Sequence, residues 1–240
     1  MVTVADCERV QTDWYVARAL NVGGSVWNDS GLLWTDGPDG INLMFPASLS
    51  SAALDRGIAR ANDLGRDLIG AWLSRDTDAR PLEQAGFRRG WSPWWMTASL
   101  MDVPVVLDPR VSLEEDGLDD EGEQSAFRDE LALARVRPRV AWCAAARTLR
   151  TARFAGHAWS FLDGDLTGIF AMNVWPRFQR TGLGTALLSA VCTAARSAGA
   201  NQAVLNATPE GKLLYSTCGF TQIGEGITWW RHRDTVTVGR

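Results

Sequence analysis

The chain has 240 residues, with 24 Lys and Arg set against 28 Asp and Glu. That length holds one large domain or two small ones with ample room for a core. A formal net charge of −4 with dispersed basic residues excludes a nucleic-acid backbone as the main partner, and no apolar run approaches a membrane span.

The opening residues Met1–Asp6 lack a signal-peptide layout, so a cytoplasmic protein is expected. Cys7, Cys143, Cys192 and Cys218 are scattered without a Cys-x-x-Cys pair, as reduced thiols are. His157 and His232 are the only histidines, which leaves little material for a metal cage, and no metal is expected.

Residues 6–20 carry Trp14, Val16, Ala17 and Leu20 at mixed helical spacing, broken by Gly23-Gly24. Leu32-Leu33-Trp34 and Ile41–Phe45 flank a Gly/Pro/Asp turn and read as a β-hairpin. Ser48 or Ser50 can cap a helix through Ala53, Leu54, Ile58 and Leu64. A short strand over Asp67–Leu73, a short helix over Thr77–Ala85 and a strand from Trp94 to Val103 come next. Pro104 to Glu123, with two prolines and an acidic run from Glu114, is read as the boundary between two domains, 1–103 and 104–240. The run is either a solvated face or a wall that attracts a cationic substrate.

Residues 124–136 read as a helix, Val140–Ala146 and Phe154–Phe161 as strands. Asp163-Gly164-Asp165 turns into a strand over Leu166–Val174. A basic turn with Arg177 and Arg180 then leads to Gly182 and Gly184, where a helix runs to Ala198 with Leu187, Leu188, Val191 and Ala195 on one face. A strand feeding a helix N-terminus through a glycine loop suits phosphate, because the first helical amides lack partners and the helix dipole favours an anion. Gln202–Ala207 is a strand, and Thr208-Pro209 is a strong helix start. That helix carries Leu214-Tyr215 to Gly219-Phe220, and a last strand covers Ile227–His232.

The halves echo each other. Gly86-Phe87 answers Gly219-Phe220 and Trp94-Trp95 answers Trp229-Trp230, as an internal duplication would arrange.

With these residues in place, the chain resembles the GCN5-related N-acetyltransferase (GNAT) superfamily in its tandem form, clearly over 124–232 and weakly in the first half. Gln179-Arg180-Thr181-Gly182-Leu183-Gly184 matches the family's Gln/Arg-x-x-Gly-x-Gly/Ala loop, and Leu214-Tyr215 with Gly219-Phe220 matches its second block. The resemblance implies an α/β (α+β) fold: two tandem GNAT-like domains, each a mixed, mostly antiparallel sheet flanked by helices. It implies that Met172, Asn173 and Val174 meet the pantetheine arm of acetyl-CoA, with Gln179 to Thr185 around the pyrophosphate. Tyr215 matches the tyrosine that protonates the leaving thiolate. The family's asparagine at the start of that helix is Thr208 here, which leaves its contact with CoA open and brings Asn206, two residues earlier, forward as a positioner of a carbonyl or a water. The first half has no such loop, since Pro46-Ala47-Ser48-Leu49-Ser50 lacks the glycines, so it is expected not to bind CoA.

The reaction implied is direct attack of a small-molecule primary amine on acetyl-CoA. A protein or peptide acceptor and a non-catalytic acyl-CoA-binding role stay open, as does the state, monomer or homodimer. His157, Asp163, Asp165 and Glu210 are candidate bases that no motif separates.

Overall fold

The computed structural model describes residues 1–115 and 131–232. The chain divides into two compact units, each assembled from two segments: Met1–Trp14 with Trp94–Gly224, and Tyr15–Pro93 with the segment from Glu225. The acidic run from residue 116 onward and most of the helix expected over 124–136 lie outside the described residues; the chain next forms a 3₁₀ turn at Ala132–Arg135.

The larger unit holds a six-stranded sheet in the order β6-β11-β10-β9-β8-β7. These strands are β6 (Trp94–Ser99), β7 (Val111–Glu114), β8 (Ala141–Arg147), β9 (Phe154–Asp163), β10 (Leu166–Val174) and β11 (Gln202–Ala207). All neighbours are antiparallel except β10 and β11, which run parallel. On one face lies α4 (Leu183–Ser197), whose Leu187, Leu188, Val191 and Ala195 stripe packs on Ala144, Ala146, Ala155, Ala158 and Ile169. Small residues on that sheet face let the helix approach closely, and branched residues on the helix fill the gap.

On the other face, Trp14 of α1 (Val4–Asn21) stacks on Phe170 with ring centroids 5.0 Å apart and tilts against Trp159 at 5.7 Å. Gly168 lies beneath this cluster, where a Cβ would meet the Phe170 ring at 2.2 Å and Val10 Cγ1 at 2.7 Å. A second helix of the unit, α5 (Pro209–Thr217), comes after β11.

The smaller unit orders its strands β1-β2-β3-β4-β12, with β5 also on β12. They are β1 (Ser25–Asp29), β2 (Leu32–Gly37), β3 (Gly40–Met44), β4 (Leu68–Ser74), β5 (Arg88–Arg89) and β12 (Thr221–His232). Here β3 and β4 form the parallel pair. The helix α2 (Ser51–Asp63) covers one face with Ala53, Leu54, Ile58 and Ala61 around the fully buried Trp34. Burying an indole completely stabilises by about 4–6 kcal/mol before its ordering cost. Gly57 makes room for it, since a Cβ there would stand 2.3 Å from the indole. The short α3 (Arg80–Gln84) keeps Pro81 in its first turn, where no amide is needed, and starts three residues later than the sequence suggests.

The mixed, mostly antiparallel sheets with flanking helices are those expected, but the strands are shared differently. The expected boundary at residue 104 gives way to divisions at Trp94 and Glu225. The reason is strand exchange: β6 pairs with β11 along its whole length, and β12 pairs with β4 from Gly226 to His232. The two tryptophan doublets, which echo each other in sequence, therefore lie on strands that complete the sheet of the opposite half. Three strands escape the sequence reading: β1, β7 and the two-residue β5. In β1, Ser25–Asp29 has only two apolar residues, and β7 lies inside the segment read as a linker.

Replacing Gly168 with Ala is expected to destabilise the protein by about 1–3 kcal/mol through overpacking, read as a lower urea midpoint at unchanged slope.

Candidate active site

The larger unit contains a fork. β10 and β11 pair from Leu166↔Gln202 to Ile169↔Leu205, and their pairing stops there although β10 continues to Val174 and β11 to Ala207. A β-bulge sits where the strands separate. The β9–β10 register shifts between Phe170 and Asn173, and Ala171 takes φ +46°. Ala171 and Met172 thus fall outside the register pairs on both sides of β10. On the β9 side Gly156 makes the bulge possible, because a Cβ there would stand 2.4 Å from the Asn173 carbonyl oxygen.

From the fork the chain enters the glycine loop. Pro176–Phe178 form a 3₁₀ turn; Gln179 Nε2 donates to the Val174 carbonyl at 3.0 Å and Thr181 Oγ1 to the Phe178 carbonyl at 2.7 Å. Arg180 and Gly182 are both left-handed, at φ +61° and +84°. Gly182 is the N-cap of α4 and supplies no side-chain cap, so the amides of Leu183, Gly184 and Thr185 stand at the first turn, where the helix itself offers no acceptor. Gly184 is closely approached from two sides: a Cβ there would lie 3.0 Å from Leu214 of α5 and 3.6 Å from Met172 of β10. This glycine is where strand, loop and second helix converge, so Met172, Gly184 and Leu214 belong to one site.

Thr208 caps α5 as expected, its Oγ1 accepting from the Gly211 amide at 3.2 Å. Tyr215, two turns on, is half-buried and packs edge-on against Phe220 at 5.9 Å. Burial, with the Cys192 and Cys218 thiols beside it, pushes its phenol up to about 12. The Cys192 thiol is itself pushed up to about 12 and Cys218 is raised, both chiefly by burial, so no activated thiolate is present here.

Asn206 lies just past the fork, and its side chain donates to Gln11 Oε1 of α1, on the opposite sheet face from Leu205. Asn206 and Thr208 thus each have a side-chain partner of their own, Gln11 and the Gly211 amide.

The four candidate bases separate. Asp163 is ion-paired with Arg9, and the Asp165 carbonyl accepts from Asn201. Both sit at the start of β10, roughly 25 Å of extended chain from Asn173. Glu210 is exposed on the first turn of α5. His157 alone lies beside the bulge, paired with Asn173 across the strands and flanked by Phe154 at 5.9 Å and Trp175 at 5.8 Å. Of the residues that sequence reasoning missed, Gly156 carried a signal, since a lone glycine within a strand marks close backbone approach. Ala171 and Arg110, whose Nη2 donates to the Thr181 carbonyl at 2.9 Å, carried none.

The smaller unit lacks this fork. β3 and β4 stay paired to Met44↔Trp72, and the Phe45 amide still donates to the Trp72 carbonyl at 2.8 Å.

A family model described as an acetyltransferase (GNAT) domain matches residues 143–228, which span the fork, the loop, α5 and much of β12. Over that segment the chain is similar to the GNAT superfamily. Solved structures share the fold over the full length. A GCN5-related N-acetyltransferase from Kribbella flavida is 12% identical with a TM-score of 0.64, covering 98% of both chains. A tandem GNAT protein from the clavulanic acid biosynthesis pathway is 13% identical with a TM-score of 0.55, covering 96% of this chain and 97% of its own. A GNAT-like protein from Streptococcus suis is 12% identical with a TM-score of 0.58, covering 94% and 99%. No curated protein sequence matches closely enough to count as a relative. At these identities the likeness establishes the tandem GNAT fold and leaves the substrate undefined. Among the described residues no helix is long and apolar enough to cross a membrane.

Thr208→Ala is expected to cost about 1 kcal/mol of stability through loss of the α5 cap, read by urea denaturation.

Proposed function

We propose that the larger unit binds acetyl-CoA in the β10–β11 fork and transfers its acetyl group to a primary amine of a small molecule. The observation that carries this reading is the fork itself, which opens directly onto a helix N-terminus with no side-chain cap. An extended pantetheine arm carries amides that can bond to the free edge of β10 at Met172–Val174, as an added strand does. The pyrophosphate then falls to the amides of Gly182–Thr185, with Gln179, Arg180 and Thr181 shaping the loop. The same logic assigns the smaller unit no CoA, since its parallel pair stays closed.

Catalysis on this reading is mainly positioning. The neutral amine attacks the thioester carbonyl, whose oxygen is met by a peptide N–H freed at the bulge. As the tetrahedral species collapses, the C–S bond breaks and the sulfur takes a proton from the Tyr215 phenol. A phenol raised to about 12 keeps that proton throughout the neutral range. The sign is plain: an ordinary tyrosine begins to ionise near pH 10, and Tyr215 ionises later, so the acid form is retained as pH rises through 10. His157, next to Asn173, is the candidate that the geometry favours for taking the ammonium proton. Asn206 is assigned to hold a carbonyl or a water on the α1 side of the fork. The second reading, a binding protein without turnover, draws on the packing of Tyr215 against Phe220, a role that needs no chemistry.

Calorimetric titration with acetyl-CoA tests the site. The wild-type protein should bind. Gly182→Val should bind at least tenfold more weakly, because a β-branched residue in the left-handed region costs about 1–2 kcal/mol or more and the loop rearranges to avoid it. Unchanged affinity in that variant would remove the loop from the site. Tyr215→Phe should lower kcat about 100-fold with acetyl-CoA affinity unchanged, measured by thiol release across an amine panel. Equal turnover would reduce Tyr215 to a packing residue. In the wild type, thiol release should show no loss between pH 9 and 10 from this group.

A further inference from the structure

The segment before β7 touches the glycine loop although it lies outside the residues matched by the family model. Asp108 and Arg110 form a tight turn there. Arg110 donates to Asp108 through its amide to Oδ1 at 2.9 Å, through Nε to Oδ1 at 2.9 Å and through Nη2 to Oδ2 at 2.6 Å. The Val111 amide closes the turn on the Asp108 carbonyl at 2.9 Å, and the Arg110 carbonyl accepts from the Arg147 amide at 2.7 Å. The hydrogen-bonded pair keeps both groups charged, with the Asp108 carboxyl lowered and the Arg110 guanidinium raised. So fixed at both its backbone and its head, Arg110 reaches 71 residues along the chain to the Thr181 carbonyl at 2.9 Å.

That contact acts on one peptide. The bonds made by Gln179 and Thr181 secure the start of the loop, and the α4 ladder secures the chain beyond Gly182, beginning with the Ala186 amide on the Gly182 carbonyl at 3.1 Å. Between them, the Thr181–Gly182 peptide has a left-handed glycine on one side and nothing within 4 Å of the place where a Cβ would be. The open space at Gly182 means that side-chain packing there gives that peptide no hold. In a planar trans peptide the carbonyl and the N–H point in opposite directions, so fixing the oxygen fixes the hydrogen. A charged donor on the oxygen also polarises the peptide and strengthens its N–H as a donor.

We propose that Arg110 is a positioning residue for the phosphate loop, holding the Thr181 carbonyl so that the Gly182 N–H faces the pyrophosphate of the acyl donor. The inference rests on the acetyl-CoA reading above and adds to it a residue from the segment that precedes the matched domain. Arg110 serves recognition of the phosphates and not of the thioester end, and Asp108 serves by holding the guanidinium in place.

The test compares wild type, Arg110→Met, Arg110→Lys and Asp108→Asn by calorimetric titration with acetyl-CoA and by competition with S-acetylpantetheine, which has the thioester arm without the pyrophosphate. Thermal unfolding of each variant confirms that it is folded. The expected result is about tenfold weaker acetyl-CoA binding in Arg110→Met, the size of one hydrogen bond to a charged group, with S-acetylpantetheine unaffected. Arg110→Lys and Asp108→Asn should be intermediate. Wild-type affinity for acetyl-CoA in a folded Arg110→Met protein would overturn the proposal, and so would an equal loss for both ligands, which marks a general disturbance of the site. A wild-type protein that binds no acetyl-CoA would instead sink the underlying reading, and the role of Arg110 with it. If Arg110→Met does not fold, Arg110→Lys and Asp108→Asn decide by the same comparison.

Discussion

Everything at the candidate site depends on a parallel strand pair that ends early. β10 and β11 hold together for four residues and then part, although each strand continues. Parting leaves peptide groups without sheet partners, which is costly unless water or a ligand satisfies them. The bulge at Ala171, the missing side chain of Gly156 and the left-handed residues of the loop all serve to carry β10 away from β11 and into a helix whose first amides are also unmatched. The smaller unit shows the alternative. Its equivalent pair stays joined through Phe45, so no fork opens there.

The chemistry that such a site supports relies on fixed dipoles more than on net charge. The chain is slightly acidic as a whole, and the groups at the fork are peptide groups, a helix end and the Asn206 amide side chain. Preorganised neutral donors suit a reaction in which charge appears briefly on an oxygen and a sulfur, because the donors need not reorganise as it forms. The thiols nearby are held protonated by burial and contribute shape, not nucleophilicity.

Much of this was legible in the sequence because the signals were local. The Gly182 and Gly184 loop, the Thr208-Pro209 helix start and the turn into the strand over Leu166–Val174 depend on neighbours a few residues apart, and each stands where it was read. The left-handed φ at Gly182 and the Thr208 cap were foreseeable from residue chemistry alone. What escaped depends on distant partners. The polar β1 becomes a strand because β2 lies beside it, and β7 forms inside a proline-bearing segment because β8 offers an edge. The short α3 lost its first turn to the backbone around Ala79 and Pro81. The pairing of Asn206 with Gln11 joins residues 195 positions apart, and no spacing rule reaches that far. The domain boundary was misplaced for the same reason: composition marks residues 104–123 as a break, whereas sheet pairing assigns Trp94–Ser99 to the strands beyond it.

The exchange of β6 and β12 also sets an order of events during synthesis. β6 emerges from the ribosome about a hundred residues before β11, its partner in the larger unit, which at ordinary elongation rates is a wait on the order of ten seconds. Trp14 waits longer for Phe170, as β4 does for β12, and Gln11 waits longer still for Asn206. Neither unit can therefore be completed while the chain is still half made. The nascent protein must carry an unpaired strand edge and an uncovered tryptophan through most of its translation, a period in which the native contacts are not yet there to cover them.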